Sequence, residues 1–235
     1  SLDGLKAVLV VGPVPEDPTF SPYANSMMDL ITGEFTANGV TVHKFYSPGV
    51  DWQEIKAAAQ GAHFLIYYGH GLTWTSGPSP VVGGIRVDSG PVSPDMIRNE
   101  LQLASDAIVM VGACYAAGTG LGEYKKTDIG IAEAQRRAVQ YAGPFLDAGA
   151  TGYYGCSYGW NSTFLNYVRF LCDGQSLGDA FKSFGDFNPN TATYSTHPTR
   201  PEMALWVDKD CEPTCVYNQA FIGPADQTLE DLFGR

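Results

Sequence analysis

The feature that most constrains the fold is a pair of apolar runs that each stop at a chemically reactive residue. Residues 63–71 read HFLIYYGHG and residues 106–114 read DAIVMVGAC. Each run has the length and the β-branched and aromatic content of a buried strand, which predicts two neighbouring parallel strands. The first ends at His70 and the second at Cys114. Because ligands bind at the carboxyl ends of strands in open α/β sheets, we expect the imidazole and the thiol to share one edge.

The chain before these runs alternates between strand and helix patterns. Strand patterns occupy residues 6–12 and 40–46, and helix patterns occupy residues 21–38 and 51–59. A β-α-β-α-β order with right-handed crossovers gives a parallel sheet covered by helices on both faces. We therefore predict an α/β fold with three α-β-α layers, in which a mostly parallel sheet has about six strands.

The rest of the chain continues this alternation after one interruption. Residues 71–94 are rich in Gly and Pro and predict a small β-hairpin insertion directly after the His70 strand. Further helices are predicted at 95–103, 131–145, 163–172, 175–181 and 228–233, and further strands at 150–154 and 216–222. We expect a single domain over residues 1–235, with a core at about 6–184 and a C-terminal extension at about 188–235.

Composition excludes several function classes. The net charge of −11 is the reverse of what a phosphate-binding surface needs, so we expect no nucleic acid partner. No apolar run approaches the roughly 20 residues that span a bilayer. The segment Gly12-Pro13-Val14-Pro15 lacks the glycine pattern of a dinucleotide loop, and we expect no cofactor. Only 17% of the residues are charged, which favours a secreted or extracellular protein.

The five cysteines leave the disulfide pattern open. If Cys114 is reserved for chemistry, four remain, enough for two disulfides. Cys211 and Cys215 enclose a tight proline-containing loop that is compatible with a local disulfide. Cys156 and Cys172 could pair or could be buried free thiols, and the sequence favours neither. No Cys or His pair of matching spacing accompanies them, so we expect no zinc site.

Cys114 and His70 are stronger candidates together than apart. A cysteine inside an apolar run is more often a small buried hydrophobe, but Cys114 ends its run and a glycine-rich segment, 116–122, follows. Backbone amides in such a turn could bind an oxyanion beside a thiolate nucleophile. His70 stands between Gly69 and Gly71, where it is accessible as a general acid or base. The remaining histidines are interpreted as structural: His43, His63 and His197.

This arrangement resembles the caspase-like (clan CD) cysteine peptidases, which include caspases, legumains, clostripains, gingipains and separases. Those proteins also have an apolar strand followed by His-Gly and a second apolar strand followed by Ala-Cys. Residues 68–71 (YGHG), with Trp74 just after them, are most similar to the gingipain branch. Residues 175–181 (QSLGDAF) are also similar to a late helix of that branch. The resemblance runs from about residue 6 to residue 184 through short motifs.

The resemblance implies a caspase–haemoglobinase fold and a cysteine endopeptidase that acts on peptide or protein substrates through an acyl-enzyme. Cys114 would attack the scissile carbonyl, and His70 would protonate the departing amine. The amides of Gly71 and Cys114 would hold the oxyanion. The pocket for the residue before the cut would be formed in part by the segment after the next strand: Ser157, Tyr158 and Trp160. The resemblance assigns no third residue to orient His70.

The clan has a strict preference for one residue before the cut, and we expect a basic residue here. The gingipain likeness and the excess of acidic side chains both favour it. Carboxylates considered for such a pocket are Asp88, Asp147, Asp173 and Asp186; an acidic preference would instead use Arg86 or Arg169. Relatives often mature by cutting themselves after the catalytic cysteine. The pair Lys125-Lys126 would suit self-cleavage, although an ordinary solvated charge pair is the simpler interpretation.

Three alternatives remain open at this stage. The fold could carry an idle dyad and act as a binding or scaffold domain of a larger protein. A glutamine-type amidohydrolase would place its cysteine on a sharp elbow bracketed by glycines, whereas Cys114 follows Gly112-Ala113. A flavodoxin-like regulator would need an acidic cluster at the end of the first strand. A histidine that precedes the cysteine on a strand of its own favours the peptidase.

Overall fold

A computed structural model describes residues 1–157, 162–210 and 216–234 of the chain. Within these residues the strands are β1 Lys6–Val11, β2 Thr41–Tyr46, β3 Phe64–Tyr68, β4 Gly71–Thr73, β5 Val82–Val87, β6 Gly90–Val92, β7 Ala107–Gly112, β8 Ala150–Cys156, β9 Thr193–Thr196, β10 Ala204–Asp210 and β11 Val216–Gly223. The α-helices are α1 Phe20–Ala37, α2 Trp52–Ala59, α3 Pro94–Glu100, α4 Ile131–Asp147, α5 Thr163–Cys172, α6 Leu177–Phe181 and α7 Leu229–Phe233.

One large sheet organises the molecule. Its eight described strands follow the order β2-β1-β3-β7-β8-β11-β10-β9. The pairs from β2 to β8 are parallel, whereas β11, β10 and β9 join by antiparallel pairing. Strands β3 and β7 lie in the middle of the sheet and are buried along their whole length. Burial on both faces explains why their sequences are continuous apolar runs rather than alternating ones.

Helices cover both faces of this sheet and create two cores. Alternate residues of β1 point to opposite faces: Val8 and Val10 belong to one core, and Leu9 to the other. The first core includes residues of α2, α3 and α4, and the second includes residues of α1, α5, α6 and α7. The three-layer α/β fold with a mostly parallel sheet is therefore confirmed.

Helix starts follow the capping residues in the sequence. The Asp51 side chain accepts a hydrogen bond from the amide of Gln53 at the start of α2. The Ser93 hydroxyl accepts one from the amide of Met96 at the start of α3, where Pro94 occupies the first turn. Side-chain oxygens at these positions satisfy amides that have no partner within the helix, so they fix where each helix begins.

The structure differs from the prediction in two details. The insertion after the His70 strand is a three-stranded antiparallel sheet, β4-β5-β6, rather than a hairpin. The main sheet has eight described strands rather than about six, because β9 and β10 add two strands to the six that the sequence predicted. Strand β9 is a short polar edge strand without the apolar run by which a buried strand is recognised. Strand β10 does contain a short apolar run, residues 203–207 (MALWV), which the sequence prediction did not include.

Two further expectations concern the cysteines and membrane-spanning segments. The thiol of Cys156 is buried, and that of Cys172 is partly buried. Cys211 and Cys215 lie outside the described residues, so the local disulfide stays a prediction. None of the helices in the described ranges is both long and apolar enough to cross a membrane.

Candidate active site

The register of β3 and β7 brings His70 and Cys114 to the same level of the sheet. The two strands are parallel neighbours, and Tyr68 lies opposite Gly112. His70 and Cys114 each follow this pair by two residues. A side chain on Gly71 would collide with the carbonyl oxygen of Cys114, so the two backbones are in direct contact. The segments predicted to carry the dyad therefore lie side by side at the carboxyl edge.

The histidine segment is fixed from inside by Tyr67, whose side chain is buried. Its hydroxyl oxygen lies 2.9 Å from the carbonyl oxygen of His70 and 3.0 Å from that of Arg86. It also accepts a hydrogen bond from the amide of Arg86, at 3.1 Å. Arg86 belongs to β5, so this hydroxyl ties the end of β3 to the inserted sheet and determines where the backbone of His70 lies.

Glu16 is a site residue that the sequence did not reveal. Its Oε1 lies 2.6 Å from Nε2 of His70. The Glu16 side chain is 60% exposed and that of His70 is 33% exposed, so the contact is at the surface. Glu16 follows β1, the parallel neighbour of β3, and so reaches the same edge of the sheet. In the sequence, the acidic pair Glu16-Asp17 just after the first strand is the feature that could have indicated a carboxylate at this edge.

The environment of Cys114 keeps its sulfur protonated at rest. Burial raises the pKa of this thiol above its ordinary value, and the nearby carboxylate of Glu123 adds to the increase. Hydrogen bonds from the backbone amides of Leu121 and of Cys114 itself act in the opposite direction but do not cancel it. The raised pKa favours the protonated thiol over a standing thiolate.

A tight turn follows Cys114. Tyr115 adopts a φ of 71°, in the left-handed region that side chains other than glycine rarely enter. Its amide donates to the carbonyl of Thr119, at 3.1 Å. The hydroxyl of Tyr153 donates to the carbonyl of Ala116, at 2.8 Å. Strained backbone that is held by several contacts is characteristic of functional sites, because the surrounding structure must maintain it.

The predicted substrate pocket is described only in part. Ser157 is 2% exposed, and its hydroxyl contacts the amide of Ala117 at 3.3 Å and the carbonyl of Tyr217 at 3.1 Å. These contacts brace the turn after Cys114 against β11. Tyr158 and Trp160 lie outside the described residues. A substrate contact by any of the three predicted pocket residues stays a prediction.

Several charged residues considered for the specificity pocket have partners in other parts of the fold. Asp88 accepts hydrogen bonds from the amide of Val50 and the hydroxyl of Ser47. Asp147 forms ion pairs with two arginines at the amino edge of β8, opposite the site. Arg169 pairs with Glu34 on α1. Within the described ranges, no group of three His, Cys, Asp or Glu side chains could hold a metal ion.

No family model matches the chain, and no curated protein matches it. The chain is similar to a short-chain flavodoxin associated with a non-canonical PDU bacterial microcompartment, at 14% identity and a TM-score of 0.35. That match covers 66% of this chain and 80% of the flavodoxin.

The chain is also similar to the complex of the pro- and mature domains of RgpB from Porphyromonas gingivalis, at 14% identity and a TM-score of 0.39. This match covers 97% of our chain but only 63% of the RgpB chain. With both TM-scores so low, neither likeness carries an assignment of function.

Proposed function

We propose that this protein is a cysteine endopeptidase in which Cys114 is the nucleophile and His70 its acid–base partner. The observation that carries the proposal is the contact between Gly71 and the backbone of Cys114, which puts the histidine segment directly against the nucleophile segment. A thiol beside an imidazole at the carboxyl ends of neighbouring parallel strands is a suitable arrangement for acyl transfer.

The proposed reaction begins with proton transfer, because the raised pKa of Cys114 leaves the sulfur protonated. His70 takes this proton as the sulfur attacks the scissile carbonyl and forms a tetrahedral intermediate. The amides of Gly71 and Cys114 stabilise the oxyanion. Collapse breaks the peptide bond, and the amine leaves with the proton from His70. His70 then activates a water molecule that hydrolyses the acyl-enzyme and regenerates the thiol.

In this mechanism Glu16 orients His70. A carboxylate 2.6 Å from Nε2 fixes the direction of the ring and stabilises the imidazolium that forms when the thiol loses its proton. Because Glu16 is largely exposed, the stabilisation is screened by water and should be modest. Glu16 is therefore proposed as a positioning residue rather than as a group that touches the substrate.

The proposed substrates have a basic residue before the cut. The supporting observation is the net charge of −11. Extracellular action remains part of the proposal and rests on the low content of charged residues.

Self-cleavage beside Lys125 and Lys126 is a further part of the proposal. Both side chains are exposed, in a polar segment that follows the turn after Cys114. Intact mass should show cleavage there during incubation of the wild-type protein and none with Cys114→Ala. Identical fragments from both proteins, or no fragments from either, would exclude self-processing.

A panel of fluorogenic peptides that vary at the residue before the cut tests the proposed reaction. Wild-type protein should hydrolyse the peptides with Arg or Lys, and both Cys114→Ala and His70→Ala should lose this activity. Cys172→Ala is the matched control, because burial raises the pKa of that thiol to about 12 and makes it unreactive. Hydrolysis that survives in Cys114→Ala would contradict the proposal.

The second candidate is a binding or scaffold domain with an idle dyad. The raised pKa of Cys114 is the observation in its favour, because a catalytic thiol is often activated by a lowered pKa. The same peptide panel separates the two candidates. A folded wild-type protein that cleaves no peptide, and that no peptidyl inhibitor labels at Cys114, would favour the binding domain.

A further inference from the structure

Arg137 of α4 is the only arginine of the described residues with a fully buried side chain, and every one of its donors is used. Nε donates to Glu133 at 2.7 Å, four residues earlier on the same helix. Nη1 and Nη2 donate to the two carboxylate oxygens of Glu123 at 2.7 and 3.0 Å. The two remaining N–H groups donate to the carbonyls of Gly118 and Pro78. A guanidinium has five N–H groups, so this set is complete.

Two of these partners belong to the segment that follows Cys114. Gly118 lies in the tight turn, and Glu123 also accepts a hydrogen bond from the amide of Gly120 at 2.9 Å. The guanidinium carbon lies 5.5 Å from the centre of the Tyr115 ring, the residue with the strained backbone. Arg137 therefore contacts the segment 115–123 at its start, its middle and its end.

A third partner belongs to the insertion that follows His70. Pro78 lies between β4 and β5, and its carbonyl accepts from Nη2 of Arg137 at 3.2 Å. One buried side chain thus links the segments that follow both members of the dyad. Leaving a buried charge without its partners is strongly unfavourable, so movement of either segment away from Arg137 is opposed.

We propose that Arg137 is a positioning residue for the nucleophile: its guanidinium locks the segment 115–123 so that the amide of Leu121 faces the sulfur of Cys114. This inference rests on the proposed function for its catalytic meaning and on the hydrogen bonds of Arg137 for its geometry. Lysine could not replace the arginine, because one ammonium cannot span both Glu123 oxygens and two carbonyls.

The test compares Arg137→Lys with Arg136→Lys. The two arginines are adjacent on α4, and both donate to Glu133. The other hydrogen bonds of Arg136 go to Gln140 and Pro80, and none goes to the segment 115–123. Arg137→Lys should lower kcat by about tenfold or more with little change in KM, since the nucleophile rather than the substrate site is disturbed. Arg136→Lys should stay within about twofold of wild type.

A second measurement needs no peptidase activity. The alkylation rate of Cys114 by iodoacetamide, followed by mass spectrometry between about pH 6 and about pH 10, reports when the thiol ionises. Arg137→Lys should move the midpoint to higher pH by about half a unit, because the Leu121 amide no longer donates to the sulfur. Arg136→Lys should leave the midpoint in place.

Glu123→Asp keeps the inference testable if Arg137→Lys does not fold. It retains the charge but is one methylene too short to hold both the guanidinium and the Gly120 amide, so it should shift the midpoint in the same direction. Wild-type midpoints in folded Arg137→Lys or Glu123→Asp, or an equal shift in Arg136→Lys, would overturn the inference. If the wild-type protein cleaves no peptide, the proposed function fails, while the alkylation midpoints still decide the role of Arg137.

Discussion

The two strand ends that form the candidate site are held in different ways. Cys114 is followed by a segment that is locked from within by the fully buried Arg137. His70 is fixed at its backbone by the buried Tyr67, but its ring contacts Glu16, whose side chain is 60% exposed. The difference indicates that the fold determines the position of Cys114, the proposed nucleophile, rigidly, whereas the ring of His70 is oriented by a surface contact that water can weaken.

The largest expected effect is at the point where the two strand ends meet. A Cβ on Gly71 would collide with backbone atoms of Cys114, so Gly71→Ala must push the two segments apart. A displacement of about 1 Å in a reacting group can cost about a hundredfold in rate, and we expect a loss of that size in kcat/KM. Peptide hydrolysis measures it, and circular dichroism checks that the variant is folded.

Gly122→Ala is the matched control for this change. Gly122 lies in the segment after Cys114, but a Cβ there would have open space around it. Its kcat/KM should stay close to that of wild type. If Gly71→Ala is as active as Gly122→Ala, the contact between Gly71 and Cys114 is not needed for activity, and the two strand ends do not form one site.

Buried hydroxyls on the two sides give the next largest effect. Tyr67→Phe removes a hydroxyl that contacts three backbone groups of His70 and Arg86. Tyr153→Phe removes a hydroxyl that contacts one, the carbonyl of Ala116. A buried polar group without a partner costs about 1–3 kcal/mol, so Tyr67→Phe should lower the free energy of unfolding more than Tyr153→Phe. Urea unfolding of both variants measures the difference, and the reverse order would show that the hydroxyl contacts do not determine stability here.

The sequence predicts the central part of the fold because burial leaves a local signal. Strands β3 and β7 are buried on both faces, and their apolar runs mark both their position and the residue at which they stop. Strand β9 is a polar edge strand that depends on its neighbour β10, so its existence follows from tertiary pairing and leaves no apolar run.

The candidate site is predictable from the sequence only in part. His70 and Cys114 end apolar runs and are visible in the sequence, whereas Glu16 and Arg137 act through contacts between distant segments. Arg137 lies among the buried residues of α4, where a sequence pattern would predict an apolar residue. A charged residue on the buried face of a helix is the one local signal that could have revealed it.

The pH at which the Cys114 thiol ionises tests how its surroundings hold the sulfur. The thiolate is the reactive form, and burial raises the pKa of the thiol, so alkylation should be slow near neutral pH and increase as the pH rises through this pKa. Near pH 7 we expect Cys114 in the folded protein to react more slowly than in protein unfolded in urea. Cys172, whose pKa burial raises to about 12, should react at still higher pH and serves as an internal reference. Faster alkylation of Cys114 in the folded protein would instead indicate a standing thiolate.

The smallest expected effect is at the exposed contact between Glu16 and His70. Glu16→Gln removes the charge beside Nε2 of His70 but keeps a hydrogen-bonding side chain of similar size. Because exposed ion pairs contribute only about 0–1 kcal/mol, the melting temperature should hardly change, and kcat should fall by about two- to tenfold. Glu34→Gln breaks a comparably exposed pair with Arg169 and should leave kcat unaltered, so the two variants separate orientation of the histidine from a general loss of charge. A wild-type kcat in Glu16→Gln would show that the ring of His70 is held by its backbone alone, and both strand ends would then be fixed from within.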